Sequence, residues 1–134
     1  MNNKVARLGR ALIVIVFVCA PMFSAQKTPK PATQQEESYM FGRILGAVED
    51  TGGGYSREVL GKLASINKDL EKRQYSTRTR WLAHSSYGKT LLEAGKPADA
   101  IRLLEIAEKE AESLAEKEQK ETTELLRQAK AKVH

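Results

Sequence analysis

The sequence predicts an all-α fold, and three observations carry that expectation. Apolar residues recur at three- and four-residue spacing over most of residues 36–134, and nowhere does alternation at period two last long enough to make a strand. The pattern is interrupted at Gly52-Gly53-Gly54 and at Gly95-Lys96-Pro97, where backbone breakers mark turns between helices. Small residues also stand where two helices of a hairpin would touch, at Gly88, Ala100 and Ala107. The expected architecture is an array of helical hairpins, about five helices behind an N-terminal targeting segment.

Residues 1–25 read as a secretory signal. Lys4, Arg7 and Arg10 form a cationic flank, and Ala11–Ala20 (ALIVIVFVCA) is an uncharged apolar run. A signal needs about 7–15 apolar residues, whereas a spanning helix needs about 20. Cleavage after Ala25 is one outcome, although Phe23 is bulky where a small residue is preferred; an uncleaved anchor over residues 11–23 is the other. Both export the rest of the chain, to the periplasm, the medium or the outer side of the inner membrane. Cys19, the single cysteine, lies inside the apolar run, so a mature chain would carry no disulfide. Val16, Phe17 and Val18 precede it, and two of these are too large for the positions nearest a lipoprotein cut, so Cys19 reads as an apolar residue of the signal and less well as a lipid attachment site.

The charge follows the same division. The chain is +5 overall, but three of its 22 cations are Lys4, Arg7 and Arg10, which leaves 19 against 17 acids, a net of +2 for residues 26–134. A nearly balanced surface argues against nucleic acid as a partner.

Residues 26–35 (QKTPKPATQQ) have two prolines and no large apolar side chain, the composition of an extended linker. A helical domain over residues 36–134 follows. From about Glu36, the residues Tyr39, Met40, Phe41, Ile44, Leu45 and Val48 share a face of a first helix of about four turns. Gly42 and Gly46, one turn apart, would let another helix approach closely. The three glycines at 52–54 end this helix.

Ser56 is placed to cap the second helix, with Glu58 in its first turn. Its apolar stripe is Val59, Leu60, Leu63, Ala64, Ile66 and Leu70, ending near Arg73. Gln74–Thr79 either turns the chain or begins the third helix, which carries Trp81, Leu82, Tyr87, Leu91 and Leu92. The fourth opens at Pro97, a residue suited to a first helical turn, and carries Ala100, Ile101, Leu103, Leu104, Ile106 and Ala107. The tail is one long helix or two with a joint near Ser113 or Thr122. The run Ser113-Leu114-Ala115-Glu116 fits a capping box and favours the joint.

Trp81–Leu114 resembles a tetratricopeptide repeat. Gly88 matches the small residue midway through the first helix of such a repeat, and Leu91 the large apolar residue one turn on. Gly95 matches the terminal glycine, Ala100 the alanine early in the second helix, Leu104 the next apolar position and Ala107 the second alanine. The physical demand is close packing, since bulk at Gly88, Ala100 or Ala107 would force the helices apart. His84 departs from the apolar residue usual in the first turn, and Glu112 from the closing proline. One repeat is clear, whereas arrays need about three stacked units, so flanking helices or a partner must complete the packing. The resemblance implies a short α-solenoid and a protein or peptide partner, with Leu82, Ser85, Lys89 and Leu92 facing a concave groove. The peptide-carboxylate clamp common in the family pairs a lysine with an asparagine, and here Ser85 accompanies Lys89.

Other chemistry is not expected. Gly88-Lys89-Thr90 ends like a phosphate loop, but Ala83 stands where that loop requires a glycine. His84 and His134 are the only histidines; His84 reads as a packed or half-exposed helix residue, and Ser85 and Ser86 beside it point elsewhere. With no cysteine pair and no histidine cluster, no zinc site and no other cofactor is expected, nor catalysis. Lys72, Arg73, Arg78 and Arg80 fall in an acid-free stretch, whereas Glu105–Glu124 holds eight acids against three lysines. Two expectations follow from this asymmetry: two solvated surfaces, or a head-to-tail contact between copies. The functional expectation is thus an exported protein-binding adaptor or scaffold; the alternative is a structural spacer acting through self-association.

Overall fold

A computed structural model describes residues 28–49 and 56–133. The signal segment and the triple-glycine turn lie outside those residues. Among the described residues there are five α-helices, one 3-10 turn and no strand, so the fold is all-α. The helices are α1 (Gln34–Glu49), α2 (Arg57–Asp69), α3 (Thr77–Glu93), α4 (Pro97–Ala111) and α5 (Glu116–Lys132), with the 3-10 turn Leu70–Lys72 extending α2.

The end of the expected linker is packed. Thr33 and Glu36 form a reciprocal capping box: Glu36 N donates to Thr33 Oγ1 at 3.1 Å, and Thr33 N to Glu36 Oε2 at 2.9 Å. The helix therefore begins at Gln34, earlier than the composition suggested. Just upstream, Pro31 bridges Gln74 in parallel. Proline has no N–H, so its neighbours complete the bridge: Ala32 N donates to Gln74 O, and Gln74 N to Lys30 O.

The first helix buries Met40, Ile44 and Ala47. The expected face was too broad, because Tyr39 is 70% exposed and Leu45 and Val48 are each 40% exposed. Nor do Gly42 and Gly46 mark a close approach, since a Cβ on either meets nothing within 4 Å. In α2 the Ser56 side chain accepts from Val59 N, and Val59, Leu63 and Ile66 are buried with Leu70. Ala64, expected in that stripe, faces solvent.

Glu37 of α1 reaches the start of α3, where its carboxylate accepts from Ser76 N and from Thr79 Oγ1. A carboxylate beside a helix N-terminus is favourably placed against the exposed N–H groups and the helix dipole. Ser76 Oγ in turn accepts from Thr79 N, so residues 74–76 make the turn and α3 begins at Thr77.

The α3–α4 hairpin is the tightest pair. Gly95 has φ +76°, Lys96 N donates to Leu91 O, and Gly95 N donates to Leu92 O. This is a Schellman ending, which needs a left-handed residue at the glycine position. Pro97 then opens α4. Ala100, Leu104 and Ala107 are fully buried, with Gly88 and Leu91 across from them. Ile106, expected on the same stripe, is 46% exposed.

The tail has its joint at residues 112–115, but the expected capping box does not form. Ala115 occupies the cap position without a side-chain bond, and Ser113 Oγ donates backwards to Glu110 O. Helix α5 buries Thr122, Leu126 and Ala129 and is mostly polar elsewhere, with Leu125 half-buried. Its chief tie to α3 is Trp81 Nε1, which donates to Thr122 Oγ1 at 2.8 Å.

Three apolar clusters result. Helices α1, α2 and α3 enclose the first, α3, α4 and α5 the second, and Trp81, Ala107 and Ala111 form the third. Helix α3 belongs to all three. It is flanked by α1 and α5 on one face of the molecule, with α2 and α4 packed behind.

Candidate partner-binding groove

A half-open groove of about 440 Å³ runs along α3 between α1 and α5. Helix α3 supplies its floor with Trp81, Leu82, Ser85, Ser86 and Lys89. Val48 and Glu49, at the end of α1, form one wall, and Glu121 and Leu125 of α5 form the other. Glu93, near the end of α3, completes the lining.

Three of the four residues expected to face a groove therefore meet in one. Leu82 is half-buried and also packs on the clusters beneath, Ser85 is buried, and Lys89 is exposed. Leu92 is the correction. It is 5% exposed and packs in the second cluster with Leu91, Ala100 and Leu104, beside Leu126 and Ala129 of α5. The reason is helical drift together with cover by α5. Positions 82, 86, 89 and 93 track the open side of α3, whereas 85 and 92 lie further round, towards the buried side. Ser86 and Glu93 were the open positions that the sequence reading did not single out.

The polar floor is partly self-satisfied. Ser85 Oγ donates to Leu82 O at 3.3 Å and Thr90 Oγ1 to Ser86 O at 2.8 Å, so both hydroxyls are turned back onto their own helix. Trp81, 6% exposed, is fixed from beneath by Thr122, whose Oγ1 also donates to Glu118 O at 2.7 Å. The wall residues Glu49, Glu121 and Leu125 were not legible as site residues, because only the stacking of α1 and α5 on α3 brings them together.

The packing positions lie where the hairpin requires them. A Cβ added at Gly88 would meet Leu104 Cγ at 2.7 Å and Cδ2 at 2.8 Å. Such distances are far inside van der Waals contact, so the site admits only glycine without movement.

On the opposite face, His84 has a partner that sequence reasoning missed. Its Nδ1 lies 2.6 Å from Glu110 Oε1, and Arg80 Nε lies 3.4 Å from Glu110 Oε2. Glu110 stands on α4, so these groups cross-link α3 to α4. No hydroxyl donates to the imidazole among the described residues, and the cluster reads as a clasp between helices.

The basic stretch is largely spent within the chain. Lys72 pairs with Asp69, Arg73 with Glu36, Arg78 with Glu118 and Arg80 with Glu110. The head-to-tail contact suggested by the charge asymmetry would have to compete with these internal pairs. Two of these carboxylates titrate low. The Thr33 backbone N–H, aided by Arg73, holds Glu36 below the usual carboxylate range, and bonds from Lys72 and Arg43 do the same for Asp69.

Among the described residues, no group of three or more His, Cys, Asp or Glu is arranged to hold a metal ion. No helix there is long and apolar enough to cross a membrane. No protein-family model, no curated protein and no solved structure matches this chain.

Proposed function

We propose that the chain is an exported, tetratricopeptide-like protein-binding module, an adaptor or scaffold of the bacterial cell envelope that works by binding and not by catalysis. One observation carries the reading: the half-open groove along α3, lined by Leu82, Ser85 and Lys89 together with side chains from α1 and α5. The architecture supports it further. Helices stacked on their chain neighbours, closed by a helix with a polar outer face, make a short solenoid whose concave side is free for a ligand.

The test is capture from envelope extract with the intact chain, set beside Lys89→Glu and Ser86→Arg. Both substitutions alter the open side of α3 without entering a core cluster. The expected result is a partner retained by the parent chain, lost by Ser86→Arg and captured in a different amount by Lys89→Glu, with unchanged circular dichroism. The same proteins captured in equal amount by all three chains would overturn the reading.

Export rests on Lys4, Arg7, Arg10 and the apolar run after them. Mass spectrometry of the product from a bacterial host is expected to find Gln26 at the N-terminus, or an intact chain in the inner membrane if residues 11–23 stay as an anchor. An intact chain in the cytosol would refute export.

A structural spacer acting through self-association is the second reading. It is favoured by Tyr39, Leu45 and Val48, large apolar side chains of α1 that the fold leaves exposed. Sedimentation distinguishes the two: a monomer at all concentrations removes the spacer.

A further inference from the structure

The groove has an electrostatic sign that the fold does not cancel. Glu49 of α1, Glu93 of α3 and Glu121 of α5 line it against a single cation, Lys89. Among the described residues these three carboxylates enter no ion pair and no side-chain hydrogen bond, whereas Glu36, Glu110 and Glu118 are each paired with an arginine. The sign is local, because residues 26–134 are net positive. It is also opposite to what a clamp for a peptide carboxylate requires.

The spread of the charges says what kind of ligand they suit. They come from three separate helices and do not converge on a point that could hold one metal ion. A ligand matching them must carry several cations spaced along its length. Between them lie Leu82 and Leu125, which offer apolar contact but no hydrogen bond. A half-open groove that sets a few apolar side chains among mostly acidic charges favours a chain segment of the opposite sign.

We propose that the groove binds a cationic, partly apolar peptide segment of a partner protein. Its lysine or arginine side chains would lie against Glu49, Glu93 and Glu121, and an apolar side chain would rest on Leu82 and Leu125. The proposal rests on the groove being the binding surface, and the experiment separates the two ideas.

Three fluorescein-labelled peptides of equal length, alternating leucine with lysine, glutamine or glutamate, are titrated with the purified chain and followed by anisotropy. The lysine peptide is expected to bind at least about tenfold tighter than the glutamine peptide, with the glutamate peptide weakest. The preference should shrink as salt is raised to about 0.5 M. The variant Glu93→Lys/Glu121→Lys changes two exposed positions and is expected to abolish or invert it. If all three peptides bind alike and Ser86→Arg removes them all, the charge proposal falls while the groove reading stands. If the double variant leaves lysine-peptide binding unchanged, the segment binds elsewhere and the proposal falls. If no peptide binds, both fall.

Discussion

Gly88 and Leu104 occupy one contact: a methyl group on the first would lie 2.7 Å from the Cγ of the second. Gly88→Ala is therefore expected to destabilise the chain by about 1–3 kcal/mol, although alanine is the better helix former. Leu104→Ala should cost about 2–5 kcal/mol by itself. The double variant should cost less than the sum by about 0.5–3 kcal/mol, because removing Leu104 makes room for the new methyl. Urea unfolding of the four chains measures this cycle, and simple additivity would show that the two residues do not constrain one another.

Ala100 tests the same hairpin from the other helix. It is fully buried, while Ala98 on the first turn of α4 is exposed. Ala100→Leu is expected to cost about 1–3 kcal/mol by overpacking. Ala98→Leu should change stability by no more than about 0.5 kcal/mol. Equal urea midpoints would sink the close-packed hairpin.

The Trp81–Thr122 bond is buried, and it joins residues 41 positions apart. Thr122→Val keeps the shape but leaves the indole N–H without its acceptor, for an expected loss of about 1–3 kcal/mol. Thr122→Ser should retain most of the stability. Trp81 is the sole tryptophan, so its emission reports the change directly. Valine and serine variants of equal stability would remove any structural role for the bond.

The helix starts differ in a way that two alanines can read. Thr33→Ala removes one half of a formed capping box and should cost about 1 kcal/mol. Ser113→Ala, in a box that does not form, should shift stability by less than about 0.5 kcal/mol. Thermal melts that rank the two in the reverse order would overturn the assignment.

Acid should weaken the fold in a defined window. Glu124 is held down from 4.5 to about 2, first by bonds from Arg127 and then by Gln128, and Glu36 and Asp69 shift the same way. A carboxyl whose pKa is lower in the folded chain favours the fold when ionised. Its contribution is complete above the unfolded value of 4.5 and is lost as pH falls toward 2. Melting temperatures are expected to decline mainly in that interval, and Glu124→Gln should flatten part of the slope. Glu124 is exposed and Glu36 and Asp69 are partly so, so added salt should blunt the effect, most of all at Glu124. A flat profile from 4.5 to 2 would contradict it.

What was legible in the sequence was local. Gly95 and Pro97 marked the hairpin turn, Ser56 marked a helix start, and the spacing of Gly88, Ala100, Leu104 and Ala107 described one tight helix pair. Each depends on residues within a turn or two of one another, or on a single short hairpin. The contacts that were not legible span long stretches of chain: Glu37 with Thr79 at a separation of 42, and His84 with Glu110 at 26. No periodicity reports such distances. Leu92 failed for a subtler reason, since a few tens of degrees around α3 decide between groove and core. Glu49 and Glu121 became groove residues only once α1 and α5 had been laid against the same helix.

Leu82 touches both the first and third apolar clusters, and Tyr87 both the first and second. A row of helices joined only end to end could shed its outer members one by one under mild denaturant. Here, loosening either flank strips cover from the same central helix, which binds the five into one melting unit. The groove inherits that cooperativity, because its walls are the flanks and its floor is the shared helix. A ligand seated there would be registered as a higher melting temperature for the whole chain, with no separate transition of its own.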